Sequence, residues 1–510
     1  MADVGREQWG TRLGFILAAV GSAIGLGNIW RFPYVAWENG GGAFFVPYLF
    51  ALVTAGIPLL ALEYAIGHRF AGSAPLSLRR LHRRAEWIGW WQIAICFVIA
   101  SYYAVVIAWA AAYAWFSVGT RWGDDPEGFF FDEHLVLTDA GTIGGLRLGV
   151  LVPLLAIWGV TLVVLAAGVR RGIERANRIL IPLLVLMFLV VVVRGLTLPG
   201  ATIGLESLFE PDWSRIDEGA VWVAAYGQIF FSLSVGFAIM ITYASYLPRR
   251  SDLTGNAFIA GFSNASFELL AGIGVFAAIG FMASATGVGV DEVAREGVGL
   301  AFVVFPSIID QLPGLNSLFG VLFFGSLVLA GVSSLISISQ TYVAALQEKF
   351  GLTRTRAALV AGSASALVSV AYATGGGLNL LDVVDRFVNA FGVALVALVE
   401  VITVAWLVRS IPELRDHADR ISEIRLRGWW PIMLVGVTPL VLGWMTVDNL
   451  VTELREPYGG YATWFLGVFG WGMVGVLLVV GILLSRSRWP SSVSTAAPVF
   501  DPGPVQAPDG

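Results

Sequence analysis

Gly21-Ser22-Ala23-Ile24-Gly25-Leu26-Gly27-Asn28 interrupts an otherwise apolar run from Leu13 to Ala36, and its reading decides the fold. The run exceeds the roughly 20 residues that a helix needs to cross a bilayer. Three glycines with Ser22 and Asn28 inside one eight-residue stretch do not suit a helix facing lipid. Irregular backbone at membrane depth is tolerated only where it lines a cavity inside the protein. Phe231-Ser232-Leu233-Ser234-Val235-Gly236 interrupts a second long run in the same way.

Working outward, hydropathy predicts twelve spans near 13–37, 42–67, 88–118, 147–168, 179–196, 218–246, 255–284, 315–347, 356–373, 379–408, 430–450 and 461–484. The two breaks fall in spans 1 and 6, the first members of two sets of five. An odd number of crossings inverts the second set relative to the first. Paired interruptions in corresponding helices of inverted halves point to a transporter site at the midplane. The expected fold is an all-α integral membrane protein with twelve transmembrane helices, an inverted five-plus-five repeat and broken helices 1 and 6. It forms one transporter domain over 1–510: repeat one at about 10–196, repeat two at about 218–409, helices 11–12 at about 430–484, and a disordered Pro/Ser/Ala-rich tail over 489–510.

Composition agrees. Of 510 residues, 57% are apolar and 13% charged, about half the charge of an average soluble protein. A net charge of −5 gives a nucleic-acid role no support. Cys96 is the only cysteine, and His68, His82, His134 and His417 lie far apart with no metal spacing. No nucleophile–base pair is evident, so an enzyme is not expected. The leading apolar run is too long for a signal peptide.

Loop charge sets the orientation. Arg69, Arg79, Arg80, Arg83 and Arg84 lie between spans 2 and 3; Arg170, Arg171, Arg175 and Arg178 between 4 and 5; Arg249 and Arg250 between 6 and 7. The alternate loops are acidic, with Asp124, Asp125, Glu127, Asp132, Glu133 and Asp139 after span 3 and Glu206, Glu210, Asp212 and Asp217 after span 5. Arginine stays inside, so both termini are expected in the cytoplasm, at the plasma (inner) membrane of a prokaryote.

Three motifs carry a family likeness. Arg6-Glu7-Gln8-Trp9, then Gly25-Leu26-Gly27-Asn28-Ile29-Trp30-Arg31-Phe32-Pro33-Tyr34 and Glu38-Asn39-Gly40-Gly41-Gly42-Ala43-Phe44, resemble the first-helix signature of the neurotransmitter:sodium symporter family. The likeness is greatest to its prokaryotic members, typified by the bacterial leucine transporter. Gly227 to Phe237 with Thr242-Tyr243-Ala244-Ser245-Tyr246, and Ala330-Gly331-Val332-Ser333-Ser334, are similar to further signatures.

The resemblance implies two sodium sites. The first would use the Ala23 carbonyl, Asn28, Ser232 and Asn264, completed by the substrate carboxylate. The second would use the carbonyls of Gly21, Ile24 and Ala330 with the hydroxyls of Ser333 and Ser334. Ser232 and Ser333 replace threonines of the leucine transporter and keep the hydroxyl. The substrate carboxylate would meet the Leu26 and Gly27 amides and the Tyr103 hydroxyl. Its ammonium would face the carbonyls of Ala23, Phe231 and Ser232 and the Ser234 hydroxyl, as half-helix dipoles favour. An outer gate would pair Arg31 with Asp385 over a lid of Tyr103 and Phe237. An inner gate would pair Arg6 with Glu348, beside Trp9 and Tyr246.

The same likeness bears on substrate and coupling. Amine-carrying relatives place an aspartate at the position of Gly25, so here the substrate should bring its own carboxylate. Ile99, Tyr103, Phe231, Phe237 and Ile338 would line an uncharged side-chain pocket together with Ser334, which suits a neutral, apolar amino acid. Glu268 lies four residues after Asn264, on the same helix face. Chloride-dependent animal relatives are uncharged there, so Glu268 would replace chloride. The implied function is sodium-coupled, chloride-independent symport by alternating access, with sodium, the amino acid and membrane lipid as partners. A channel or a non-transporting sensor of the same fold is the alternative, and a homodimer or a small accessory subunit stays open.

Overall fold

The computed structural model describes residues 7–500, and among them regular structure is helical apart from isolated bridges such as Gly41 to Pro211. Lipid offers no hydrogen-bonding partner to the backbone, so spanning segments satisfy it internally. Ten continuous helices are long and apolar enough to cross. They are Gly42–Phe70 (span 2), Arg83–Gly119 (3), Leu148–Ala166 (4), Val169–Leu196 (5), Leu253–Thr286 (7), Asn316–Phe350 (8), Arg354–Tyr372 (9), Gly377–Leu407 (10), Trp429–Gly460 (11) and Thr463–Arg486 (12). Span 1 is a bent pair, Arg12–Ala23 and Leu26–Glu38, at 56°. Span 6 is Gly219–Ser232 and Ile239–Ala244, with 233–238 between them outside the α-helix. Twelve crossings result.

Burial separates a centre from a rim. The apolar windows of spans 2 and 8 are each 72% buried, against 33% for spans 4, 5 and 11 and 22% for span 12. Span 8 packs on spans 1 and 3 in the centre. Span 2 crosses the short second half of span 6 so closely that a Cβ on Gly67 would stand 2.1 Å from the Ile241 carbonyl oxygen. Small residues permit such approach between helices in lipid.

Two details differ from the hydropathy reading. Span 5 starts at Val169 rather than near 179, because the arginine-rich segment opens the helix as a π turn over Val169–Glu174 after Gly168 at φ 93°. The charges lie at the helix end rather than in a loop. Residues 489–500, within the tail for which composition predicts disorder, carry no helix or strand and are exposed or half-buried, but touch the arginine-rich face at several points. Trp489 Nε1 donates to Glu86 at 2.8 Å, Arg69 donates to the Pro498 carbonyl at 2.8 Å, and the Phe500 ring sits 4.3 Å from that of His417. His417 Nε2 and His68 Nδ1 are 2.9 Å apart. Burial, then His68, Arg69 and Arg420, push the His417 imidazole down to about 3, so it stays neutral.

Candidate functional site

Breaking span 1 strips hydrogen bonds from carbonyls that lipid would not satisfy, and span 8 supplies them. Ile24 and Gly25 are extended, at φ −74° and −116°. The Ser333 hydroxyl donates to the Gly21 and Ala330 carbonyls, each at 2.8 Å. The Ser334 hydroxyl lies 3.3 Å from the Gly21 carbonyl oxygen and 3.4 Å from those of Ser22 and Ile24. All five residues expected at the second sodium site therefore converge, with Ser333 fully buried and Ser334 4% exposed. Oxygen alone, without nitrogen or sulfur, is the donor set a hard cation takes.

The residues of the first expected site form a buried chain across three spans. Asn28 Oδ1 accepts the Gly25 amide at 2.8 Å, Asn28 Nδ2 donates to Asn264 Oδ1 at 2.8 Å, and Asn264 Nδ2 donates to Ser232 Oγ at 2.9 Å. Ala23 is buried at the end of the first half-helix. One turn along span 7, Glu268 is wholly buried and accepts from Gln228 Nε2 at 2.6 Å and from the Tyr48 hydroxyl.

Between the two sets stands Gly25, closely approached by Tyr103 and Ser334. A Cβ there would meet the Tyr103 hydroxyl at 3.0 Å and Ser334 Oγ at 3.4 Å, and one on Gly27 would meet the Phe231 ring at 2.5 Å. The Leu26 amide donates to the Tyr103 hydroxyl at 3.1 Å, and the Ser234 hydroxyl donates to the Ser22 carbonyl at 3.1 Å. Ile99, Phe237 and Ile338 are apolar and buried. Gly25, Tyr103, Phe231 and Ser234 keep partial exposure. Amide, hydroxyl and carbonyl groups thus meet around Gly25, with the Phe231 ring beside Gly27, the kind of polar groups that orient a small zwitterion.

The gates differ from expectation. Arg31 does not bridge to Asp385. Its Nε lies 3.5 Å from Glu296 Oε1, and its guanidinium lies 4.9 Å from the centre of the Phe231 ring. The loop after span 7 brings that carboxylate in, while Asp385 accepts from Asn389 Nδ2 at 2.9 Å. At the inner gate, Arg6 lies outside the described residues, so its pairing with Glu348 has no geometry here. Glu348 accepts the Ser73 amide at 2.9 Å and the Ser73 hydroxyl at 2.6 Å. Trp9 is 4% exposed; its Nε1 donates to the Tyr243 carbonyl at 2.9 Å and its amide to that of Tyr246 at 3.1 Å. Gln340 Nε2 donates to the Tyr246 hydroxyl at 2.9 Å. Arg354 then joins Gln340 Oε1 at 2.6 Å to Glu7 at 2.8 Å.

Sequence reasoning missed Glu63. It is 1% exposed in span 2 and accepts the Gly236 amide, inside the span 6 break, at 2.5 Å. The signal was present: an acid within an apolar transmembrane run marks a functional position by default.

Two inverted-repeat halves, broken helices at corresponding positions and buried oxygen clusters at both breaks define a secondary transporter for a small solute and a hard cation. The chain belongs to the sodium:neurotransmitter symporter family, whose family model matches residues 6–126 and 121–490. It is 43% identical over 489 residues to an uncharacterized sodium-dependent transporter of Methanocaldococcus jannaschii, covering 96% of this chain and 99% of the relative. It is 27% identical to the sodium- and chloride-dependent glycine transporter 2 of Xenopus laevis, over 93% of this chain and 68% of that one. The crystal structure of MhsT in complex with L-phenylalanine superposes with a TM-score of 0.73 at 32% identity, covering 87% of this chain and all of MhsT. The protein is thus a multi-pass, sodium-dependent membrane transporter and not an enzyme.

Proposed function

We propose that this chain imports a neutral, apolar amino acid by coupling it to sodium at two sites, without chloride. In this reading it works by alternating access across a prokaryotic plasma membrane, with the arginine-rich face and both termini in the cytoplasm. The observation that carries the substrate class is Gly25. It brings no fixed carboxylate to face Tyr103, Ser334 and the Leu26 amide, so the ligand supplies its own. That carboxylate beside Asn28, Asn264 and Ser232 would complete the first cation's shell. Each ligand then strengthens the other, reciprocally. The apolar amino acid bound by MhsT is compatible with the Ile99, Phe237 and Ile338 walls.

Glu268 supports chloride independence. Its carboxylate already occupies the pocket of Tyr48 and Gln228, one turn from Asn264, and a second anion would be repelled in so buried a site. Proteoliposomes test both parts. Uptake should require an inward sodium gradient and persist when gluconate replaces chloride, whereas Glu268→Ser should acquire a chloride requirement. Competition of the twenty amino acids against one labelled substrate should favour apolar side chains. Full uptake in choline, or loss of wild-type uptake without chloride, overturns the respective part.

A further inference from the structure

The arginine-rich face holds a built cavity that sodium coupling does not use. Arg170, Arg171, Arg175 and Arg178 surround a space of about 480 Å³ at the foot of span 5, closed on one side by Gly10 and Thr11 just ahead of span 1. One carboxylate, Glu174, stands among these four arginines, and its oxygens are already engaged. Glu174 Oε2 accepts the Gly10 amide at 2.6 Å; Oε1 accepts the Thr11 hydroxyl at 3.0 Å and pairs with Arg178 at 2.8 Å. It is 3% exposed and presses on span 1 so closely that a Cβ on Gly14 would stand 2.3 Å from Oε1.

Arg170, Arg171 and Arg175 are exposed and form no ion pair with any described residue. Three uncompensated guanidinium groups around a concavity suit an anion with several oxygens, because each planar fork matches phosphate geometry. The two spans beside the cavity point to the source of that phosphate. Val163 near the end of span 4 and Ile179 directly after Arg178 are 70% and 60% exposed. The cavity lies at the foot of span 5, and spans 4 and 5, with windows only 33% buried, present such apolar side chains to lipid.

We propose that this cavity seats the phosphodiester head of an anionic phospholipid, with its chains along spans 4 and 5. Placing it in the inner leaflet rests on the reading of the arginine-rich face as cytoplasmic. The head would lie against Gly10 and Thr11, just ahead of span 1. Basic pockets between helices on the cytoplasmic side are the usual form of such recognition.

The full-length protein in nanodiscs of phosphatidylcholine mixed with phosphatidylglycerol, released intact into a mass spectrometer, should retain phosphatidylglycerol in preference. R170Q/R171Q/R175Q should weaken that preference by about fivefold for each charge removed. Arg171→Gln alone, at an exposed side chain, gives a smaller loss and serves where the triple variant does not fold. An unchanged preference in the single and the triple variant overturns the proposal. So does displacement of the lipid by inorganic phosphate at matched concentration, which would assign the cavity to a soluble anion. Retained lipid is read without any transport, so failure here is distinguishable from failure of the sodium reading.

Discussion

Spans 1 and 6 are both broken, and they are broken differently. Span 1 bends at Ile24 and Gly25 with both residues in ordinary extended backbone, and its freed carbonyls turn to hydroxyls from span 8. Span 6 leaves the helix over 233–238 and needs three left-handed residues to do so: Ser234 at φ 54°, Gly236 at 80° and Ala238 at 62°. Its freed Gly236 amide turns to a carboxylate, Glu63. The first break presents oxygens and costs little in backbone strain. The second presents an amide and is held open by a buried acid. One side of the site is therefore lined with oxygens by chain geometry, while the other depends on a hydrogen-bond acceptor borrowed from span 2.

The largest effect should come from the oxygen side. Asn28→Ala removes the link between the Gly25 amide and Asn264, and sodium-driven uptake in proteoliposomes should be abolished. Uptake at the wild-type rate would show that the two breaks do not share the first site. Next comes the shape of the first break. Gly25→Asp places a carbon 3.0 Å from the Tyr103 hydroxyl and a charge against the incoming carboxylate. Affinity for the native substrate, read by competition, should fall at least tenfold, and an unchanged value would move the pocket elsewhere.

Glu63 tests the dependence of the second break on a carboxylate. Glu63→Ala leaves the Gly236 amide unsatisfied at about 1–3 kcal/mol, and the thermal midpoint should drop, whereas Glu63→Gln, which keeps an acceptor, should lose less. Equal midpoints for wild type and Glu63→Ala would mean that the backbone alone holds the break. The smallest effect is expected at Ser234→Gly. Relief of a left-handed residue, about 1 kcal/mol, offsets loss of the bond to Ser22, also about 1 kcal/mol. The midpoint should stay close to wild type; a large shift either way shows which term dominates.

Much of this was legible in the chain. Glycines and polar residues inside apolar runs marked both breaks, and their spacing by five spans marked the inversion. The meeting of Asn28 with Asn264, 236 residues apart, was available only through the family likeness, because no local pattern records which helices become neighbours. Arg31's partner was not legible. Asp291, Glu292 and Glu296 share one acidic loop, and hydropathy treats them alike, while Asp385 drew attention by lying inside a span. The start of span 5 was hidden because an arginine at a helix end and one in a loop lower hydropathy equally. The tail read as disordered by composition, yet Trp489 and Phe500 find Glu86 and His417 to hold them.

Trp9 ties the start of span 1 to the end of span 6 through two hydrogen bonds to the backbone, at Tyr243 and Tyr246. If both break when the site opens toward the arginine-rich face, then at about 1 kcal/mol each they would contribute a factor of roughly 30 against that opening. That factor would multiply directly into the time the closed arrangement persists between cycles, and hence into how slowly sodium would drain through the protein when no solute is present. Because each bond enters as a multiplier, losing the indole nitrogen alone, as in Trp9→Phe, would raise solute-free leak about fivefold. A cell carrying such a change would spend its ion gradient continuously while importing no more than before.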